Sequence, residues 1–235
     1  MFQTERDTYE ESRFEMKLQN VRQKFVTKVF GIVLAQLVCT MLTVTTGFFY
    51  PRLFALVEPL QLFLVLAYAG ILLALTCSES LARTVPTNYF LLGALTLIQS
   101  ILVYSTVKFM NVSIVLSACL YTSMLLTALC AFSHYTTSDF TSPAFNLKFL
   151  FLQLGLSVVL FFFPIHNAFM VFISGMIFST YIIIDLQLIM GRKGISFLSD
   201  DYILAAITLY TDIIQLYIQI AKLLEGNEKD KKKRH

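Results

Sequence analysis

Two carboxylates stand where carboxylates are costly. Asp185 and Asp212 each lie inside a long, otherwise apolar run. An ionisable side chain at membrane depth costs at least about 2.5–3.5 kcal/mol on insertion scales, so it is a functional candidate by default. The bland alternative is a carboxyl bonded to neighbouring helices and permanently neutral. Two such residues on consecutive segments can meet. The first segment ends near Gly191 and the second begins near Asp201. At about 1.5 Å per residue, Asp185 lies roughly 9 Å and Asp212 roughly 16 Å below one surface, a gap that tilt and side-chain reach can close. Two carboxyls in low dielectric cannot both ionise cheaply, so the pair should share a proton. It could sense pH near neutrality, or hold Ca2+ through hard oxygen ligands.

Other polar groups carry weaker signals. Glu79 and Arg83 have the i,i+4 spacing of an ion pair and are candidates for a gate or latch, although an interfacial anchor pair is the plainer reading. Gln99, Gln153, Gln187 and Gln215 could line a polar interior or bridge helices, and bridging is favoured. His134 and His166 sit at segment ends. Cys39, Cys77, Cys119 and Cys130 all fall in apolar runs, which reads as reduced packing residues. The chain contains no HExxH, P-loop or GxSxG pattern.

These residues need a scaffold, and composition dictates which. Of 235 residues, 57% are hydrophobic and 14% charged, where a soluble domain averages roughly 25% charged. Residues 1–28 hold eleven charges and residues 185–235 hold fifteen, but Val29 to Ile184 hold only seven. This excludes a disordered chain, a nucleic-acid module and an ordinary soluble enzyme. A membrane helix needs about 20 mostly apolar residues. Seven runs qualify: Val29–Phe49, Leu60–Ser78, Asn88–Val107, Val112–Phe132, Ala144–Phe163, Asn167–Met190 and Asp201–Leu224, the last with Ser199 or Asp200 as N-cap. The predicted fold is an all-α polytopic membrane protein: a cytosolic arm over 1–24, a seven-helix membrane domain over 25–225 and a basic tail over 226–235.

Lys and Arg near the runs set orientation. The arm carries Arg13, Lys17, Arg22, Lys24 and Lys28, and loops on its side carry Arg83, Lys148, Arg192 and Lys193. Opposite loops carry Arg52 and Lys108, which predicts a cytosolic N-terminus. Seven crossings then put the C-terminus on the other side. Yet the tail ends Lys232-Lys233-Arg234-His235, and Lys232 and Lys233 fit a dilysine retrieval signal that needs a cytosolic tail. Either the last segment is re-entrant or incompletely inserted, or the basic tail is tolerated outside.

Three stretches resemble the Bax inhibitor/lifeguard family, within it the Golgi anti-apoptotic branch. They are Val21–Phe30, Ser138-Asp139-Phe140-Thr141-Ser142, and Tyr181–Gly191 followed by Ser199–Ala206 and Leu209–Ile214. The resemblance implies seven helices with the last one surrounded by the other six. It implies a pH-sensitive calcium leak from intracellular stores, in endoplasmic reticulum or Golgi membranes, and suppression of cell death. The family's paired aspartates match Asp185 and Asp212, and Asp139, Phe140 and Thr141 are motif residues. Bacterial members latch an arginine of the second span onto that pair; here Glu79 stands near that place, with Arg83 one turn later.

The expected partners are the lipid bilayer, calcium and protons, with other calcium channels or apoptosis regulators, and no nucleic acid. No cofactor is expected beyond Ca2+ as a permeant or transiently bound ion. Competing readings are a non-conducting adaptor and a proton-coupled transporter. An enzyme is least favoured, because two carboxylates without a convergent nucleophile make a weak active site. The charge distribution makes a topological prediction. A glycosylation acceptor spaced out from the Arg52–Glu58 loop should be modified and one in the arm should not; the reverse pattern would invert the assignment.

Overall fold

Apolar runs punctuated by proline, glycine and small polar residues become helices, because lipid offers the backbone no other hydrogen-bond partners. The computed structural model describes residues 2–149, 151–152, 167–191, 196–198 and 200–234. In order, the helices are α1 (Phe2–Phe49), α2 (Pro51–Ala55), a 3-10 turn (Glu58–Leu60), α3 (Gln61–Cys77), α4 (Glu79–Arg83), α5 (Thr87–Val107) and α6 (Val112–Tyr135). Helical backbone over 143–149 and 151–152 forms α7, followed by α8 (Asn167–Met190) and α9 (Tyr202–Arg234). Among the described residues, six helices are long and apolar enough to cross a membrane. The predicted fifth run, Ala144–Phe163, lies mostly outside the described residues.

The protein is a polytopic all-α membrane protein. Its outside is apolar: Phe63 and Phe90 are 68% and 76% exposed, as lipid-facing groups should be. Its inside holds polar groups, including Gln36, Thr40, Thr96, Gln99, Ser100, Asp185 and Gln187. α9 is the least apolar of the six candidate spans and the most enclosed, with 61% of its most apolar stretch buried against 6% for α3. Its buried residues run all round the helix, among them Ile203, Ala206, Ile207, Tyr210, Ile214 and Ala221. It packs against α1, α4, α5, α6 and α8.

Two helices differ from expectation. The arm is no separate element: α1 runs unbroken from Phe2 into the membrane and stops only before Tyr50-Pro51, where Pro51 opens α2. Close to that end, a Cβ at Gly47 would strike the Tyr104 ring, so glycine lets α1 and α5 approach. α9 also overruns its predicted end, Leu224, by ten residues. Its cap position is Asp201, whose carbonyl accepts from the Ala205 N–H at 2.9 Å. Asp200 therefore lies one residue outside, and Ser199 lies outside the described residues.

The long α9 answers the question raised by the basic tail. At its start Asp201 bonds Arg83, and Lys28 lies 3.2 Å from the centre of the Tyr202 ring. Near its finish Glu228 accepts from the Asn111 amide at 2.8 and 3.0 Å, at the α5–α6 turn where Lys108 also meets Glu58. The helix thus runs the whole length of the bundle, as a full crossing requires, and carries the tail to the end away from the arm. The dilysine reading and a cytosolic arm therefore exclude one another; the side chains of Lys232 and Lys233 lie outside the described residues. Protease outside intact microsomes should remove a tag at one terminus and spare a tag at the other. Loss of both tags would contradict the crossing.

Candidate functional site

The last two turns of α8 are enclosed on every side: Ile182, Ile184, Asp185, Leu186, Gln187 and Ile189 are all buried. Asp185 is 8% exposed, and its Oδ2 is buried without a hydrogen-bond partner. The Thr208 side chain approaches the same carboxyl, and Asp212 of α9 is the charge that bears on it. Thr208 and Asp212 are four residues apart on α9, hence one above the other on the face toward α8. Tyr68 of α3 reaches the neighbouring Thr211, hydroxyl to hydroxyl, at 3.1 Å. The two aspartates singled out from the sequence thus lie on facing stretches of α8 and α9, within electrostatic reach of each other, and Tyr68 of α3 reaches the same turn of α9. Among the described residues no group of three or more His, Cys, Asp or Glu gathers. A calcium ion at the pair would have to complete its roughly 6–8 oxygens with hydroxyls, carbonyls or water.

Two residues beyond Asp185, Gln187 bridges, as the sequence favoured for its class. Its Oε1 accepts from the Phe140 N–H at 2.9 Å, and its Nε2 donates to the Ser138 carbonyl at 3.0 Å. Asp139 shapes the turn so presented: its Oδ1 accepts from the Thr141 N–H at 2.8 Å and from the Thr141 hydroxyl at 2.7 Å. Thr141 is buried, and the Phe140 ring packs edge-on to Phe145 at 5.1 Å. The Asp139-Phe140-Thr141 motif therefore builds a turn docked on α8 beside Asp185.

Arg83 goes elsewhere. Its Nε donates to Asp201 at 2.8 Å, tying α4 to the first turn of α9. That bond places it at the rim of the bundle, and the Glu79 side chain lies outside the described residues. The i,i+4 spacing could not reveal a partner 118 positions away. At the same end Arg22, read from the sequence as an orienting arm charge and as part of a motif, donates to the carbonyls of Leu188 and Phe197, the latter at 2.8 Å. His134 packs on Tyr135 there, and His166 lies outside the described residues.

A second polar layer joins α1, α5 and α9. The Gln36 amide donates to Thr96 at 2.9 Å, and Thr40 meets Ser100 at 3.0 Å and the Tyr210 hydroxyl at 2.7 Å. With the Thr40 proton on the Gln36 carbonyl, Tyr210 is the donor to Thr40. Sequence reasoning missed this layer. Its one signal was Gln36, the lone amide in the Val29–Phe49 run.

A family model described as "Inhibitor of apoptosis-promoting Bax1" matches residues 22–229. The chain belongs to that family. Protein lifeguard 4 of Mus musculus is 28% identical over 216 residues, covering 89% of this chain and 88% of the relative. The Golgi anti-apoptotic protein of Vaccinia virus (strain Lister) gives the same figures. Protein lifeguard 3 of Homo sapiens is 26% identical over 223 residues, covering 88% of this chain and 70% of the relative. The Bax1-inhibitor match begins at Arg22 and takes in the whole aspartate site.

The polar layer yields a stability prediction. A buried interhelical hydrogen bond in a membrane bundle is worth about 0.6 kcal/mol on average and up to about 1.7. Thr40→Val and Tyr210→Phe should each destabilise, and a double-mutant cycle in detergent should show coupling of about 0.5–1.5 kcal/mol. Additive effects would mean that the contact contributes nothing of its own.

Proposed function

We propose that this chain is a calcium leak pathway of intracellular membranes, regulated by protonation, that lowers store calcium and restrains cell death. The single observation behind the reading is the Asp185–Asp212 pair: two carboxyls within electrostatic reach, one with an unpartnered buried oxygen, on two helices enclosed by the bundle. Such a pair is poorly suited to holding two negative charges at once. Proton uptake and cation binding are the two events that relieve it, and they compete. In the protonated state the pair would close the seam between α8 and α9. In the ionised state it would repel across that seam and draw a cation in. Calcium is here the transported substrate, not a resident cofactor, and no enzymatic step is invoked.

The restraint of cell death rests on family membership and on the printed name of the viral relative, Golgi anti-apoptotic protein. That name also supports a Golgi membrane as the place of action. A location in the endoplasmic reticulum by retrieval on Lys232 and Lys233 would require the tail in the cytosol.

The α1 arm favours a second reading, a membrane adaptor. A helix that continues out of the bilayer from Phe2 presents a surface to other channels or to death regulators without any conduction.

Purified protein in liposomes loaded with a calcium dye separates the two. The leak reading expects flux that varies with pH and is flattened by Asp185→Asn and by Asp212→Asn. Absence of flux at every pH would favour the adaptor, and a wild-type pH profile in both variants would remove the aspartates from the mechanism.

A further inference from the structure

The Val21–Phe30 motif has no part in the site so far, yet one of its residues touches the element that carries Asp185. Arg22 leaves α1 at the membrane boundary. Its Nη1 donates to the Phe197 carbonyl at 2.8 Å, and its Nη2 donates to the Leu188 carbonyl. The same Leu188 carbonyl accepts from the Phe197 N–H at 3.4 Å, so the chain closes on itself between these two residues. One planar guanidinium spans both ends of that closure, a geometry the fork of an arginine allows and a lysine ammonium does not. The guanidinium also lies over the Phe25 ring, 4.9 Å from its centre.

α8 has matching features. It ends at Gly191 with φ +60, the left-handed closing residue that glycine adopts without penalty, and the Gly191 N–H returns to the Gln187 carbonyl at 2.9 Å. A Cβ at Gly191 would collide with the Arg22 guanidinium. The last carbonyls of a helix carry partial negative charge, so a cation there is favoured as well as hydrogen-bonded. Asp185 sits three residues before Leu188, one turn away. Gln187 fixes the opposite side of that turn to the 138–141 segment.

We infer that Arg22 is a positioning residue for the Asp185–Asp212 pair: by clasping the Leu188 and Phe197 carbonyls it fixes the end of α8 against α1 and so sets where Asp185 stands. This rests on the reading of the pair as a protonation-regulated gate. The clasp holds the last turn of α8 and the connection that follows it, while Asp212 lies about three turns further along α9, so its release acts first on Asp185 and changes the separation of the two carboxyls. Among the described residues, Asp212 on α9 bears on Asp185 and Tyr68 on α3 bears on Asp212, with Tyr181 one turn earlier on α8; Arg22 on α1 and His134 on α6 stand together at the arm end.

The test uses full-length protein in nanodiscs and three variants: Arg22→Ala, Arg22→Lys and Gly191→Ala. Lysine keeps the charge near α8 but offers one nitrogen on a flexible stem in place of the rigid two-nitrogen fork, so it separates position from electrostatics. Gly191→Ala crowds the guanidinium and also strains the φ +60 closing residue of α8, so it is read only beside Arg22→Lys, which keeps the helix end intact and serves if Arg22→Ala fails to fold. Two readouts are independent of transport: amide exchange over residues 186–191 and at Phe197, and titration of the Asp185 carboxyl followed by its carbon-13 shift. All variants should exchange about tenfold faster at these amides, with residues 209–217 unchanged. The Asp185 midpoint should move by about half a pH unit or more, in Arg22→Lys as in Arg22→Ala. Wild-type behaviour in Arg22→Lys would show that charge suffices and overturn the inference. So would faster exchange with an unmoved Asp185 midpoint. In liposomes the flux midpoint should follow the Asp185 midpoint. If wild-type protein conducts nothing, the leak reading fails by itself, and the two spectroscopic readouts still decide the role of Arg22.

Discussion

A carboxyl at membrane depth must be enclosed by protein, and much of this architecture follows from that requirement. Asp212 makes α9 the least suitable helix to face lipid, and α9 is the helix the others surround. Asp185 imposes the same demand on the arm end of α8, whose last two turns are buried all round while its first turns are not. A helix apolar all round would be content in lipid. One with a carboxyl at its middle gains several kcal/mol from neighbours that supply hydroxyls and exclude acyl chains. The pairing of α8 with α9, and the ring of α1, α3, α5 and α6 about them, are two expressions of one penalty.

Apolar contact distinguishes helices poorly inside a bilayer, because lipid tails are as apolar as leucine. Specific polar contacts therefore carry the register. Three levels are visible. At the arm end Arg22, Arg83 and Gln187 bond across helices and loops. At mid-depth Gln36, Thr40, Ser100 and Tyr210 join α1, α5 and α9. At the opposite end Asn111 holds Glu228 and Lys108 holds Glu58. α9 takes part in all three, so its translation along its own axis would break bonds at each level together.

Spans and the aspartate pair were legible because both are written locally. Freedom from charge over about 20 residues, and a proline, glycine or charged residue at each break, need no knowledge of distant residues. The end of the sixth run at Met190, before Gly191, was read to the residue for that reason. The extents of α1 and α9 were not legible, since hydropathy ends at the membrane while helical hydrogen bonding continues through charged residues. Arg22 was illegible for another reason: its acceptors are main-chain carbonyls, which every residue possesses. Arg83 was assigned to the nearest acid in sequence, and its bond to Asp201 across the bundle could not be read from spacing. The dilysine match had the right letters, and its meaning depended on where a 33-residue helix delivers it.

The continuity of α1 has a mechanical side. Residues 2–24 add about 35 Å of helix to the length within the bilayer, joined without a hinge residue or proline. A rod of that kind stores no slack. A sideways push near Phe2 becomes a tilt of the membrane part, with the fulcrum at the bilayer surface close to Arg22. The arm forms the long side of that fulcrum, and Arg22 bonds the end of α8 beside it, so displacement shrinks on the way in while force grows. An object that binds the arm thereby holds the long handle of a lever whose short end rests on the helix bearing Asp185.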